Sequence, residues 1–201
     1  MSTAKPKKPK APAPADHGAQ NPQVQLNAAR KEGHAFRGAL LDHFARVEHS
    51  LGPLLVQAST LPVYATIARK PAHLLGQKLE QLRSLAAAEG PLKDPLAQVS
   101  ANIEVLHRFE EIRHFMAHAT LEVVQNESRE MLYLFRLAKL CKASVEHSSI
   151  VLGKADAKSI GAELGVTVQA LTRQLDAACK SFGASASRLP RGGAAHPSQP
   201  A

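Results

Sequence analysis

The sequence predicts a mainly α protein: a four-helix bundle with a β-hairpin inserted between the third and last helices. Three observations point there. Apolar residues recur at helical spacing along four stretches, separated by Gly-Pro and Asp-Pro signals. Hydrophobic residues make up 44% of the 201-residue chain while aromatics are only 4% and Trp is absent. Leu, Val, Ile and Ala must therefore build the core, which suits packed helices. Between the third and fourth stretches, residues 120–136 abandon the helical period for β-forming residues around a turn signal.

Taken in order, residues 1–21 are rich in Lys, Pro and Ala and read as an extended, disordered basic tail. Asn21 followed by Pro22 is a helix start, with Asn at the cap and Pro at the first helical position. Phe36, Leu40, Phe44, Val47 and Leu51 share one face, and Gly52-Pro53 is expected to end the helix. Pro53, Pro62 and Pro71 break the next apolar stretch into a short helix and a loop. Leu75, Leu79, Leu82 and Ala86 mark a second helix, closed by Gly90-Pro91. Asp94-Pro95 should open a third, whose stripe of Leu96, Val99, Ile103, Leu106 and Phe109 leads into Arg113 and His118. Thr120–Val124 and Met131–Arg136, joined by Asn126-Glu127-Ser128, read as the hairpin, and Ser148–Leu152 is a candidate third strand. Asp156 is placed to cap a last helix with Ile160, Leu164, Val168, Leu171, Leu175 and Phe182 on one face. The expected organisation is one domain over residues 22–183, with loose tails at 1–21 and 184–201 and no internal repeat.

The formal net charge is +8. Lys5, Lys7, Lys8 and Lys10 against Asp16 give residues 1–20 a charge of +3, and Arg188 and Arg191 give residues 184–201 a charge of +2, which leaves +3 on the body. A mildly basic body with a basic tail suits a polyanion such as RNA, and it equally suits plain solubility. Cys141 and Cys179 form no CxxC pair and are too few for a disulfide framework. No apolar run has the length of a membrane span, and no apolar core follows the basic N-terminus as in a signal peptide. These features lead to the expectation of a cytoplasmic protein without a membrane partner.

The stretch with the most chemistry is Glu110-Glu111-Ile112-Arg113-His114-Phe115-Met116-Ala117-His118. Arg113 offers a permanent charge and a fork of donors for phosphate. His118 can exchange a proton near neutrality. A phosphate clamp beside a proton-transfer group is what metal-free RNA cleavage needs, because RNA carries its own nucleophile in the 2′-hydroxyl. Five residues on an unbroken helix put Arg113 and His118 roughly 140° apart around the axis. To act together, either the helix ends before His118 or the two groups meet across a subunit interface. The quieter alternatives are an ion pair from Arg113 to Glu110 and a helix cap by His118.

Arg113, His114, Ala117 and His118 resemble the Rx4–6H motif of HEPN domains (higher eukaryotes and prokaryotes nucleotide-binding). The order of a Leu-rich helix ending in the motif, a hairpin and a closing helix is similar as well. The resemblance implies a HEPN-like helical bundle acting as a metal-independent ribonuclease, often a toxin or defence effector, whose motifs pair across a homodimer. It implies catalytic roles for Arg113, His114 and His118 and partners in RNA, a second copy, and an antitoxin or other protein. Other members of that family have lost catalysis and serve as binding or scaffold modules for RNA or protein. The sequence departs from the usual pattern at His114, where Asn is common, and at Ala119, where Gly is common.

No cofactor is expected: there is no phosphate-cradling Gly-rich loop and no Gly-x-Ser-x-Gly elbow. A metal reading rests on His114 and His118 at i, i+4, and on two Glu-x-x-His pairs, Glu104/His107 and Glu111/His114. Both pairs lie on one helix rather than on facing helices, which argues against a di-metal site. His43, His49, His73 and His147 have no convincing partners in the sequence and are expected to be solvated.

Overall fold

The computed structural model describes residues 21–186, residues 71 and 143 excepted. The two expected tails therefore lie outside the described residues, apart from Asn21 and residues 184–186.

The long first helix is the spine. In α1 (Pro22–Ser59), the Asn21 side chain accepts a hydrogen bond from the Gln23 amide at 2.9 Å, and Pro22 occupies the first turn, as its sequence requires. The helix does not stop at Gly52-Pro53 but carries Pro53 inside it. A proline there removes one backbone donor and crowds the preceding turn. Packing outweighs that cost, because the buried stripe of Leu40, Phe44, Val47 and Leu51 continues without interruption into Leu54, Leu55 and Ala58.

A 3-10 turn (Pro62–Tyr64) and a short α2 (Ala65–Ala68) turn the chain back. Tyr64 is fully buried, and its hydroxyl accepts a hydrogen bond from the Leu92 amide at 2.8 Å, which anchors the loop after α3 (Leu75–Ala87). Gly90 lies against that hydroxyl with φ +142°, a backbone state that only glycine adopts freely.

The expected third helix is two helices. Residues 91–98 form turns, so Asp94 does not cap it, and α4 (Val99–Arg108) is separated from α5 (Glu110–His118) at Phe109. The apolar spacing explains the break. Leu106, Phe109, Ile112 and Phe115 recur every three residues, the period of a 3-10 turn rather than of an α-helix. The Phe109 amide accordingly donates to the Leu106 carbonyl at 3.1 Å, and the apolar face is re-aimed so that Phe115 and Met116 reach the core.

The inserted hairpin is a three-stranded antiparallel meander of β1 (Thr120–Gln125), β2 (Met131–Cys141) and β3 (Ser144–Gly153). Its first turn is closed by the Asn126 side chain, which accepts from the Glu130 amide at 2.8 Å. The register sets Leu121, Phe135 and Ile150 in one cross-strand row and Val123, Tyr133 and Leu152 in the next. That face lies on α1 at Gly33, where a Cβ would stand 2.9 Å from Leu121 and 3.0 Å from Tyr133. Beyond Arg136 no third strand among the described residues accompanies β2 and β3, and Leu140 there is exposed.

The last helix, α6 (Lys154–Ala186), begins where Asp156 accepts a hydrogen bond from the Gly153 amide at 2.9 Å. It runs three residues past its expected end. Its face of Leu164, Val168, Leu171, Leu175 and Ala178 packs against α1 and α4. The architecture is thus mostly helical with a small antiparallel sheet. No single described helix is long and apolar enough to cross a membrane.

Candidate functional site

α5 lies along α1, and the contacts give its direction. The Arg113 guanidinium stands 5.7 Å from the Phe44 ring centroid, and one helical turn further on Arg37 donates to the Ala117 carbonyl at 3.3 Å. As the chain advances along α5 its partners move backward along α1, so the two run antiparallel. The contact with Phe44 is a cation–π interaction, and it leaves the Arg113 Nε buried with no hydrogen-bond partner among the described residues. The ion pair to Glu110 is not made, because Glu110 turns to His107.

The helix does not end before His118. The Ala119 amide donates to the Phe115 carbonyl at 2.8 Å, so the α-helical ladder is intact through the last turn. Arg113 and His118 therefore stand roughly 140° apart around the axis, and one protomer does not bring them onto one face. His118 instead pairs with His114, their ring centroids 4.9 Å apart and both rings exposed. The cap on the last carbonyls comes from Arg37, a cation at the negative end of the helix dipole, and not from His118.

Arg113 and His114 line a cleft of about 1140 Å³ between α3 and the α4–α5 junction. Its floor is apolar, from Ile67, Leu74 and Leu75, and Leu74 is 66% exposed within it. Its rim carries Glu48, Glu80, Glu110 and Glu111. His107 sits between two of these, Nε2 3.1 Å from Glu80 and Nδ1 3.4 Å from Glu110. Glu48 pairs with Lys78 at 2.5 Å and Glu80 with Arg83 at 3.6 Å. Glu110 and Glu111 meet no Lys or Arg at ion-pair distance among the described residues. Two of the four carboxylates are thus offset by a cation, and Glu110 and Glu111 leave an acidic edge beside Arg113.

Among the described residues no group of three or more His, Cys, Asp or Glu is arranged to hold a metal ion. His114 and His118 share a face, as their spacing requires, but no third ligand joins them. His43 is not solvated as expected: its Nδ1 is buried without a partner, and its ring lies against α6 at Gly165. His73 lines the cleft. Both cysteines are free, and burial raises the pKa of the Cys179 thiol.

Sequence reasoning missed Arg37, Phe44, Glu80 and the role of His107. Only the His107/Glu110 spacing of three was visible along the chain. Arg37 and Ala117 are 80 residues apart, and Glu80 and His107 27 apart, so no local pattern announces them.

No protein-family model, curated protein or solved structure matches the chain. The likeness to HEPN domains therefore stands on the motif residues and the order of the elements alone.

Proposed function

We propose that the protein is a non-catalytic binding module whose α3–α5 cleft takes a cationic, partly apolar segment of a protein partner. The observation that carries this reading is the pairing of an uncovered apolar floor with Glu110 and Glu111, neither of which meets a Lys or Arg among the described residues. Burial of aliphatic side chains against Leu74 and Leu75 supplies affinity, and lysines or arginines reaching the carboxylates supply register. Arg113 is held over Phe44 and serves the partner's backbone carbonyls rather than a phosphate. A fluorescent Lys/Leu octapeptide, titrated by anisotropy, should bind with a salt-sensitive affinity. Glu110→Gln with Glu111→Gln should weaken it by about tenfold, the scale of close charge pairs at an interface. Equal affinity for the double variant would refute the reading.

A second reading is favoured by the exposed His114/His118 pair, with Arg37 bonded to the carbonyl next to His118. In this reading the protein is a HEPN-like metal-independent ribonuclease. Arg113 of one protomer would meet His118 of another across a homodimer, His118 moving the proton. RNA cleavage in EDTA that disappears in His118→Ala would establish it over the binding module.

A further inference from the structure

We infer that the cleft has an internal ligand: the chain's own residues 5–12, Lys-Pro-Lys-Lys-Pro-Lys-Ala-Pro. The inference rests on the reading of the cleft as a site for cationic segments and names its first occupant.

Three features of the segment fit the cleft. The first is charge. The segment carries four lysines and no acid, and the rim carries four glutamates, two of which meet no Lys or Arg among the described residues. The second is periodicity. Pro6, Pro9 and Pro12 recur every three residues, as do Lys5 and Lys8, and Lys7 and Lys10. Polyproline II has three residues per turn and leaves its backbone carbonyls free. Laid in that form, the segment would present one ridge of prolines flanked by two edges of lysines. The ridge matches the floor of Ile67, Leu74 and Leu75, and one edge of lysines faces Glu110 and Glu111 on α5. Arg113 supplies a donor to the free carbonyls. Proline-rich segments are well suited to this, since they surrender little conformational entropy on binding.

The third is reach. Lys10 precedes Asn21 by 11 residues, which span roughly 36–40 Å when extended. Phe44, beneath Arg113, lies 23 residues along α1 from Asn21, about 35 Å of helix. Eleven fully extended residues are just long enough to bring Lys10 to the near end of the cleft. A tether this close to its full length holds the segment at a low effective concentration, so a partner displaces it readily.

The test uses the full chain. Zero-length carbodiimide coupling joins lysines to carboxylates in contact, and peptide mass spectrometry locates the joins. Lys5–Lys10 should couple to Glu110 and Glu111 on the order of tenfold more than to the exposed Glu127 and Glu146, the scale of close charge pairs at an interface. Joins found only between copies, revealed by mixing isotopically light and heavy protein, would overturn the internal ligand. Pro6→Ser with Pro9→Ser and Pro12→Ser keeps every charge, and it should reduce the enrichment several-fold by removing the ridge. Joins spread evenly over exposed glutamates would overturn the inference, and so would an enrichment unchanged in the triple variant. If the Lys/Leu octapeptide still binds the cleft while the joins are even, the docked segment alone is refuted and the binding module stands.

Discussion

The two halves of α5 differ in kind although only a few residues separate them. The N-terminal half, with Glu110, Glu111 and Arg113, borders a cleft with an apolar floor and a rim of carboxylates. The C-terminal half ends in the exposed His118, its ring tilted against that of His114, and is capped by the Arg37 guanidinium. One half is lined by carboxylates, the other ends in exposed imidazoles. His114 touches both. The difference teaches how far a helix separates what a sequence places side by side. Arg113 and His118 read as one motif along the chain, and the intact last turn of α5 sends them to different neighbours.

The largest expected effect removes the frame on which both halves depend. Leu106 is fully buried on α4, one turn before the Phe109 break. Leu106→Ala should cost about 2–5 kcal/mol in chemical denaturation, the range for deleting a buried leucine side chain. A cost below about 0.5 kcal/mol would mean that α4 does not fix the position of α5.

A smaller effect isolates the C-terminal half. Arg37→Ala removes the cation at the end of α5 and should lower stability by about 0.3–1 kcal/mol, the usual worth of a charge at a helix terminus. Binding of the Lys/Leu octapeptide should be untouched. If affinity changes with Arg37, the two halves are one site and the comparison fails.

Much of the frame was legible in the sequence, for physical reasons that differ by element. Asn21-Pro22 and the Asn126 turn are local devices, complete within five residues, and both formed as their side chains dictate. The stripes of α4 and α6 also lie where the helical period puts them. Pro53 misled because its cost is local whereas the compensating burial of Leu54, Leu55 and Ala58 is tertiary. The Phe109 break was present in the spacing of Leu106, Phe109, Ile112 and Phe115, but a three-residue period inside an α-helical stripe is easily taken for the stripe itself. β3 begins at Ser144, four residues before its expected start, because pairing with β2 extends a strand whose own residues are polar. At the candidate site, residue types were readable and neighbours were not: Phe44 beneath Arg113 and Glu80 beside His107 come from other helices.

The smallest effect lies away from both halves of α5 and serves as a reference for surface charge. Hydrogen bonding from Lys154 holds the Glu32 carboxyl below its ordinary pKa, with a lesser contribution from Tyr133. A lowered folded pKa stabilises above the unfolded value, and the contribution fades as pH falls toward the folded value. Both side chains are largely exposed, so the effect is small. Melting temperatures of wild type and Glu32→Gln, followed from about pH 6 down to about pH 3, should differ slightly near the upper end and converge in acid as the carboxylate titrates. A gap that widens in acid contradicts the assignment.

The most direct measurement of the central claim follows both halves of α5 in one spectrum. Amide chemical shifts of the full chain, recorded while the Lys/Leu octapeptide and then a single-stranded RNA are added, report each surface separately. The account predicts that the peptide shifts Gly76, Glu110 and Glu111, which border the cleft, and leaves Arg37 and His118 in place. It predicts that RNA leaves the cleft amides unmoved. Peptide shifts centred on Arg37 and His118, or RNA shifts centred on Glu110 and Glu111, would contradict it.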